Sequence, residues 1–360
     1  MSTVVQAPPE AEDHPPVIHI MAYGPEALED RSSTQVGDLL DCRARFPVTW
    51  VDVDGLQDIS LVEKIGEVFG LHPLTIEDVL HLHQRPKVEN YDGYQFIVLR
   101  MPVPHEVSPG QHLETEQVGI ILGQGFVVTF QEGYPGDVLD DLRNRLRRGS
   151  RALREQGPDV LAYAILDAIV DSYFPVLEDY GEELENLEDQ VMSRPRREAL
   201  ARIHQIKRDL LTLRRAVFPL REAVNGLLRD PTPLISGETR VYLRDCYDHT
   251  VQLLDLIETY RELAGGLIDI YLSSLSNRMN EVMKKLTILS AIFLPLSLVA
   301  GIYGMNFNPD ASGWNMPELN WKFGYFFALG VMALVAALLM IYFYRKGWLR
   351  SEEGEPGQGP

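Results

Sequence analysis

The chain has 360 residues, with 33 Lys and Arg against 52 Asp and Glu, a formal charge of −19. Neutralising phosphates takes a surplus of basic side chains, so this balance argues against nucleic acid as a partner and for a surface that gathers cations. Mean hydropathy is −0.10, which excludes a carrier made of many membrane spans. The two cysteines, Cys42 and Cys246, lie far apart, which excludes a disulfide framework and fits a reducing compartment.

Met1 to Pro16 is rich in Pro and acid and has no apolar core; it is expected to be disordered and to carry no secretory signal. Residues 17–150 read as an α+β domain. Short apolar runs at 18–23, 49–53, 94–99, 118–122 and 126–130 have strand character. Residues 60–69 and 72–82 have helix character, with Pro73 in a first turn ahead of Glu77 and Asp78.

Residues 151–233 read as a helical hairpin. The acidic stretch 160–192 ends at Ser193-Arg-Pro195, and a stretch rich in Arg and Lys runs from 196 to about 228. Two helices of opposite charge either zip together antiparallel or present separate solvated faces. From Ser236 to Leu294 there is no proline, so residues 234–303 are expected to form one helix on the order of 100 Å long. Leu253, Ile257, Tyr260, Ala264, Leu267 and Tyr271 step by fours and threes, as a seam for helix association does. The Gly265-Gly266 pair is its weakest point.

Leu286 to Tyr303 and Phe323 to Tyr344 carry no charged side chain. As helices of roughly 18 and roughly 22 residues they reach about 27 and about 33 Å, enough to cross a bilayer. Arg278, Lys284 and Lys285 precede the first, and Arg345, Lys346 and Arg350 follow the second. Basic flanks stay in the cytoplasm, which puts both termini inside and residues 304–322 outside. Tyr303, Trp321 and Tyr325 then form an outer aromatic belt, and Tyr342, Tyr344 and Trp348 an inner one. The tail, residues 345–360, is expected to be cytosolic and to be disordered from Ser351 onward.

Two spans enclose no aqueous path alone, so any channel built from them is oligomeric. Seven-residue steps mark two rows on the first span: Asn280, Thr287, Leu294, Gly301 and Met283, Ser290, Ser297, Gly304. Small and polar residues on one seam serve close helix packing or a wet lumen. With no Asp, Glu, Lys, Arg or His in either span, a proton relay or fixed-charge site is disfavoured. The span ends in Gly304-Met305-Asn306. A ring of Asn306 side-chain oxygens and Gly304 carbonyls suits a cation that keeps its waters, as Mg²⁺ does. Gly304 is expected to supply a turn closed to other residues, and Met305 to pack rather than ligate.

Tyr303-Gly-Met-Asn-Phe307, Met316-Pro-Glu-Leu319 and the basic end of the second span resemble the CorA family of divalent-cation channels. Asn280-Glu-Val-Met-Lys-Lys-Leu286, Tyr247-Asp-His-Thr250, His72-Pro-Leu74 and His83-Gln-Arg-Pro-Lys87 resemble it too, so the likeness runs from about residue 17 to 350. It implies a homopentameric Mg²⁺ channel of the inner membrane with a funnel-shaped cytosolic domain, its first span lining the pore and its second forming an outer ring. Gly304, Met305 and Asn306 become the selectivity filter, and Asn280, Met283, Leu294 and Ser297 pore-lining positions, joined by Thr287 and Gly301 of the rows above. Glu77, Asp78, Asp167 and Asp245 fall at or near the family's cytosolic Mg²⁺ sites between subunits, and Asp269 near the inner pore mouth. Leu294 and Ser297 replace the Met and Thr common in relatives, the basic run after the second span is short, and Glu318 keeps its place in the outer loop.

The resulting expectation is feedback: internal Mg²⁺ bridges carboxylates and holds the channel closed, and its loss lets the long helices shift. A transporter of Co²⁺, Ni²⁺ or Zn²⁺ with the same fold, and a membrane-tethered cation sensor that conducts nothing, are the alternatives. No nucleophile motif or phosphate-cradling loop indicates an enzyme, and His81-x-His83 lacks a third ligand.

Overall fold

The structure is a computed structural model that describes residues 16–33, 37–103, 113–134, 136, 138–305, 308, 312, 314–316 and 321–349. Apart from Pro16, the termini expected to be disordered lie outside the described residues. The chain divides into a unit ending at Ile270 and one starting at Tyr271.

The first unit is built on seven strands: β1 (Val17–Tyr23), β2 (Leu28–Ser33), β3 (Val48–Asp54), β4 (Lys87–Tyr91), β5 (Tyr94–Pro102), β6 (Thr115–Gly123) and β7 (Phe126–Gln131). They form one sheet in the order β2-β1-β3-β7-β6-β5-β4. All pairings are antiparallel except β3 with β7, where Val51 meets Val128. The inner strands are buried along nearly their whole length because helices cover both faces.

On one face Ile20, Val51, Val53, Phe96, Ile121 and Val128 pack with residues of α1 (Gly37–Arg45), α2 (Ile59–Phe69) and α3 (Pro73–Leu80). Trp50 and Asp52, on the alternate positions of β3, point to the other face. There Arg143 of α4 (Asp140–Arg147) donates to Asp52, and Trp50 Nε1 donates to Thr129 Oγ1 at 2.9 Å. A short α5 (Arg151–Arg154) leads to α6 (Pro158–Asp171), which also packs on the sheet.

The acidic stretch is two helices, α6 and α7 (Tyr173–Ser193), broken at Ser172. The basic one is α8 (Arg197–Arg229). Contacts of Glu183 with Arg202 and Tyr180 with Asp209 show α7 and α8 antiparallel. Their seam is apolar, with Leu177, Leu184, Leu187 and Val191 buried on α7 and Ile203, Ile206, Leu210 and Leu213 on α8. Among the described residues one ion pair, Arg202 with Glu183, joins them, while Arg214 pairs with Glu258 of α9 (Gly237–Tyr303). Burial therefore holds this hairpin more than charge does.

Helix α9 runs unbroken through Gly265-Gly266 and Pro295. Its seam residues Leu253, Ile257, Ala264, Leu267 and Tyr271 are buried, and Tyr260 is partly so. Gly181 lets Tyr260 approach α7, since a Cβ there would sit 2.7 Å from the Tyr260 hydroxyl.

The second unit contains the rest of α9 and α10 (Gly324–Arg345). Three helical stretches are long and apolar enough to cross a membrane: 158–193, 237–303 and 324–345. The apolar window of the first is 56% buried inside the protein, against 0% and 6% for the other two, so its apolar surface is already used.

Candidate functional site

In the first unit, carboxylates gather at the ends of α3 and α6 and along α9. Helix α3 begins at Pro73, and the His72 side chain caps it by accepting from Leu74 N at 3.2 Å. One turn later Glu77 is exposed and Asp78 half-buried. Both Asp78 oxygens are engaged. Oδ1 accepts from Gln84 Nε2 at 2.8 Å, and Oδ2 accepts from Lys87 Nζ at 2.6 Å. Lys87 also donates to Glu89 Oε1 at 2.7 Å, and the Tyr91 hydroxyl donates to Glu89 Oε2 at 2.9 Å.

Asp167 and Asp171 stand one turn apart on α6, facing His249 of α9. One ligand atom from each of the three lies within 4.8 Å of the others. His249 Nδ1 is 3.5 Å from Asp171 Oδ1, and that nitrogen is buried without a hydrogen bond. The Phe174 and His249 rings stand at right angles with centroids 5.9 Å apart. Burial pushes the Asp167 carboxyl up, repulsion from Asp171 adds to this, and a hydrogen bond from Tyr163 opposes it. Asp245 adds a smaller repulsion and is itself exposed, as is Asp269. Two carboxylates and an imidazole with one face free form a set that a divalent ion fits.

Sequence reasoning named Asp167 but missed Asp171 and His249. The four-residue step from Asp167 to Asp171 carried the signal for one; His249 is distant in sequence and joined only by packing. Glu77, Asp78 and Asp245 belong to no three-ligand group within one chain among the described residues. The rings of His81 and His83 lie 6.4 Å apart, and neither joins such a group.

Between α7 and α9 lies a cleft of about 560 Å³, lined by Glu178, Glu182, Glu185 and Glu188 of α7 and by Glu262 and Leu263 of α9. Its carboxylates make this side of the unit strongly negative, which raises the local concentration of cations.

In the second unit, the expected pore positions share one side of α9. Asn280, Met283, Thr287, Leu294, Ser297 and Gly301 are all exposed. The shielded positions are Ile288, Ala291, Ile292, Pro295, Leu296, Val299 and Tyr303. At 100° per residue the centres of these two sets lie about 145° apart around the helix, with Ala291 at the border beside Asn280. On α10 a matching shielded stripe runs through Ala328, Val331, Met332, Val335, Leu339 and Phe343. The Thr287 hydroxyl donates to Met283 O at 2.8 Å, which leaves its oxygen free to accept.

Helix α9 closes with Gly304 N donating to Ala300 O at 2.9 Å and Met305 N to Ile302 O at 3.1 Å. Gly304 is not in the left-handed region, which corrects the expected reason for it. A Cβ there would stand 3.2 Å from Ala300 O, the carbonyl that its own N–H bonds one turn back, a spacing set by the helix turn itself. Met305 is exposed rather than packed in this chain. Asn306 and Glu318 lie outside the described residues.

A family model described as a CorA-like Mg²⁺ transporter protein matches residues 47–345. A Thermotoga maritima protein named cobalt/magnesium transport protein CorA is 45% identical over 333 residues, 92% of each chain. A Methanocaldococcus jannaschii protein of the same name is 27% identical over 304 residues, 84% of this chain and 92% of the relative. The complete structure of the CorA magnesium transporter from Methanocaldococcus jannaschii matches with a TM-score of 0.75 at 24% identity, covering 92% of this chain and 99% of that one. The chain thus shares its fold and most of its length with these proteins, and it belongs to the CorA-like Mg²⁺ transporter family, a family of transporters rather than enzymes.

Proposed function

We propose that the chain is one subunit of a homopentameric channel that admits Mg²⁺ down its electrochemical gradient. The observation that carries this reading is the 45% identity, over 92% of both chains, to a protein named for cobalt and magnesium transport. Helix α9 supports it with a face of small, polar and flexible residues left open opposite its shielded stripe. Five such faces line a pore from Asn280 to Gly301, and α10 forms the outer ring. Gly304, Met305 and Asn306 form the filter, where neutral oxygens hold the ion through its waters.

The spans lie in an inner membrane with both termini cytoplasmic, since basic flanks bracket them. Residues 17–150 and 151–233 form the cytosolic part, 234–303 the stalk and first span, 304–322 the outer loop bearing Glu318, 323–344 the second span and 345–360 the tail. Glu77, Asp78, Asp167 and Asp245 hold regulatory Mg²⁺, and Asp269 lies near the inner mouth. The bound ion holds the closed state because it binds that state better than the open one.

The Asp167, Asp171 and His249 cluster favours a second class of ion for part of this task. An imidazole prefers Co²⁺, Ni²⁺ or Zn²⁺ to Mg²⁺, so the cytosolic part answers to transition ions as well. The test of transport is Mg²⁺ uptake into proteoliposomes. Asn306→Ala should abolish selective uptake while leaving the assembly intact; equal uptake by the variant would favour a non-conducting sensor or another pore.

A further inference from the structure

Lys87 makes the shortest contact to the carboxylate that the preceding reading assigns to the regulatory ion. Its ammonium sits between Asp78 and Glu89, 2.6 Å from one and 2.7 Å from the other. Bridging two carboxylates is what a divalent ion would do there. With Gln84 on the other Asp78 oxygen, both oxygens are already engaged, and an incoming ion has to compete with the ammonium for the carboxylate's charge. Burial works against the ammonium's charge, but the hydrogen bonds to Asp78 and Glu89 outweigh it and raise the Lys87 pKa, so the lysine stays charged at neutral pH.

The surroundings fit a cation that leaves and returns. Lys87 opens β4, which is an outermost strand of the sheet. Its side chain is 29% exposed, and the four-carbon stem is flexible enough to swing the ammonium into water. Glu89 is held in place by Tyr91, and Asp78 by Gln84, so the two carboxylates keep their positions when the lysine leaves.

We infer that Lys87 is a built-in stand-in for the regulatory ion, occupying Asp78 when internal divalent ions are scarce and yielding it when they are plentiful. This rests on the reading of Asp78 as a regulatory ligand. The consequence is a threshold. A divalent ion meets a vacant Asp78 only in the fraction of molecules whose lysine has swung out, and its apparent affinity falls by that fraction. Lys87 thereby sets the internal Mg²⁺ concentration at which the channel closes, without touching the transported ion.

The test is protection of the full-length, detergent-solubilised protein from limited proteolysis as MgCl₂ is raised, with Mg²⁺ binding followed in parallel by calorimetry. Lys87→Met keeps the stem and removes the charge. It should lower the half-protecting Mg²⁺ concentration by on the order of tenfold, the fold-change for losing one charge-assisted hydrogen bond to a carboxylate. Lys87→Arg keeps the charge in a fork that grips carboxylates, and should leave that concentration unchanged or raise it. Should Lys87→Met fail to fold, the arginine variant still decides: tighter Mg²⁺ binding by Lys87→Arg overturns the inference. Asp78→Asn separates the two levels of the argument. If it leaves the protection curve unmoved, the regulatory reading of Asp78 fails. If it moves the curve and Lys87→Met does not, the stand-in role of Lys87 fails alone.

Discussion

In the first unit charge is carried inside and compensated there: Arg143, 3% exposed, meets Asp52, 1% exposed, on the sheet. In the second unit there is no Asp, Glu, Lys, Arg or His between Leu286 and Tyr303 or between Phe323 and Tyr344. A domain folded from water tolerates a buried ion pair once geometry and hydrogen bonds repay desolvation. A helix meant for lipid leaves charge at its ends. The same division sets what each region can offer a cation. The first unit holds a cluster of carboxylates and an imidazole that a divalent ion fits, and the second has only neutral side chains along its apolar stretches. On the proposed reading, sensing and passage fall to different chemistry in different parts of one chain.

The comparison breaks first at the spans. Ile292 lies on the shielded stripe and Leu294 on the open face. Ile292→Asp should abolish membrane assembly, as judged by the yield of oligomer in detergent, because a carboxylate in a lipid-facing or packed position costs about 2.5–3.5 kcal/mol near a span's centre. Leu294→Asp should assemble, since the proposed pore face is wet, and should raise ion leakage. Equal loss from both variants would remove the open face from the account.

A smaller but still large effect is expected in the first unit. Arg143→Met strands the Asp52 carboxylate and should cost about 3–5 kcal/mol of stability, measured by denaturant unfolding. Adding Asp52→Leu should recover much of the loss, because an apolar pair of similar volume is often neutral.

The smallest effect sharpens the sensing half. Asp167 holds its proton more tightly in the folded state than in the unfolded chain, through burial and then Asp171. Stability is therefore lost as pH rises from the ordinary carboxylate range through the raised folded value, and it returns on acidification. Asp167→Asn should remove that loss, raising the ion-free melting temperature at neutral pH by about 1–2 °C. It should also blunt the further rise that CoCl₂ brings to the parent protein.

Much of the fold was legible because burial leaves a mark on sequence. The inner strands β3, β5, β6 and β7 are covered on both faces and read as apolar runs. The outermost strands did not: β2 is Leu-Glu-Asp-Arg-Ser-Ser and β4 is Lys-Val-Glu-Asn-Tyr. Edge strands carry charge to discourage further pairing, and that polarity hid them. The break at Ser172 was missed because Asp171 and Tyr173 on either side both suit a helix, with Pro175 following two residues later. Opposite charges on α7 and α8 drew attention from their apolar seam, which does more to hold them together. In the site, Asp167 and Asp78 were reached through resemblance. The partners that give them meaning, His249 and Lys87, came from contacts across elements, which spacing alone does not show.

The central claim is that internal ions bound in the first unit control passage through the second. Its most direct test is Mg²⁺ influx into proteoliposomes at fixed membrane potential, with luminal Mg²⁺ varied on the side of the first unit. The parent protein should shut as luminal Mg²⁺ rises, and the Asp78→Asn, Asp245→Asn double variant should stay open over the same range. Identical closure of both proteins would contradict the account.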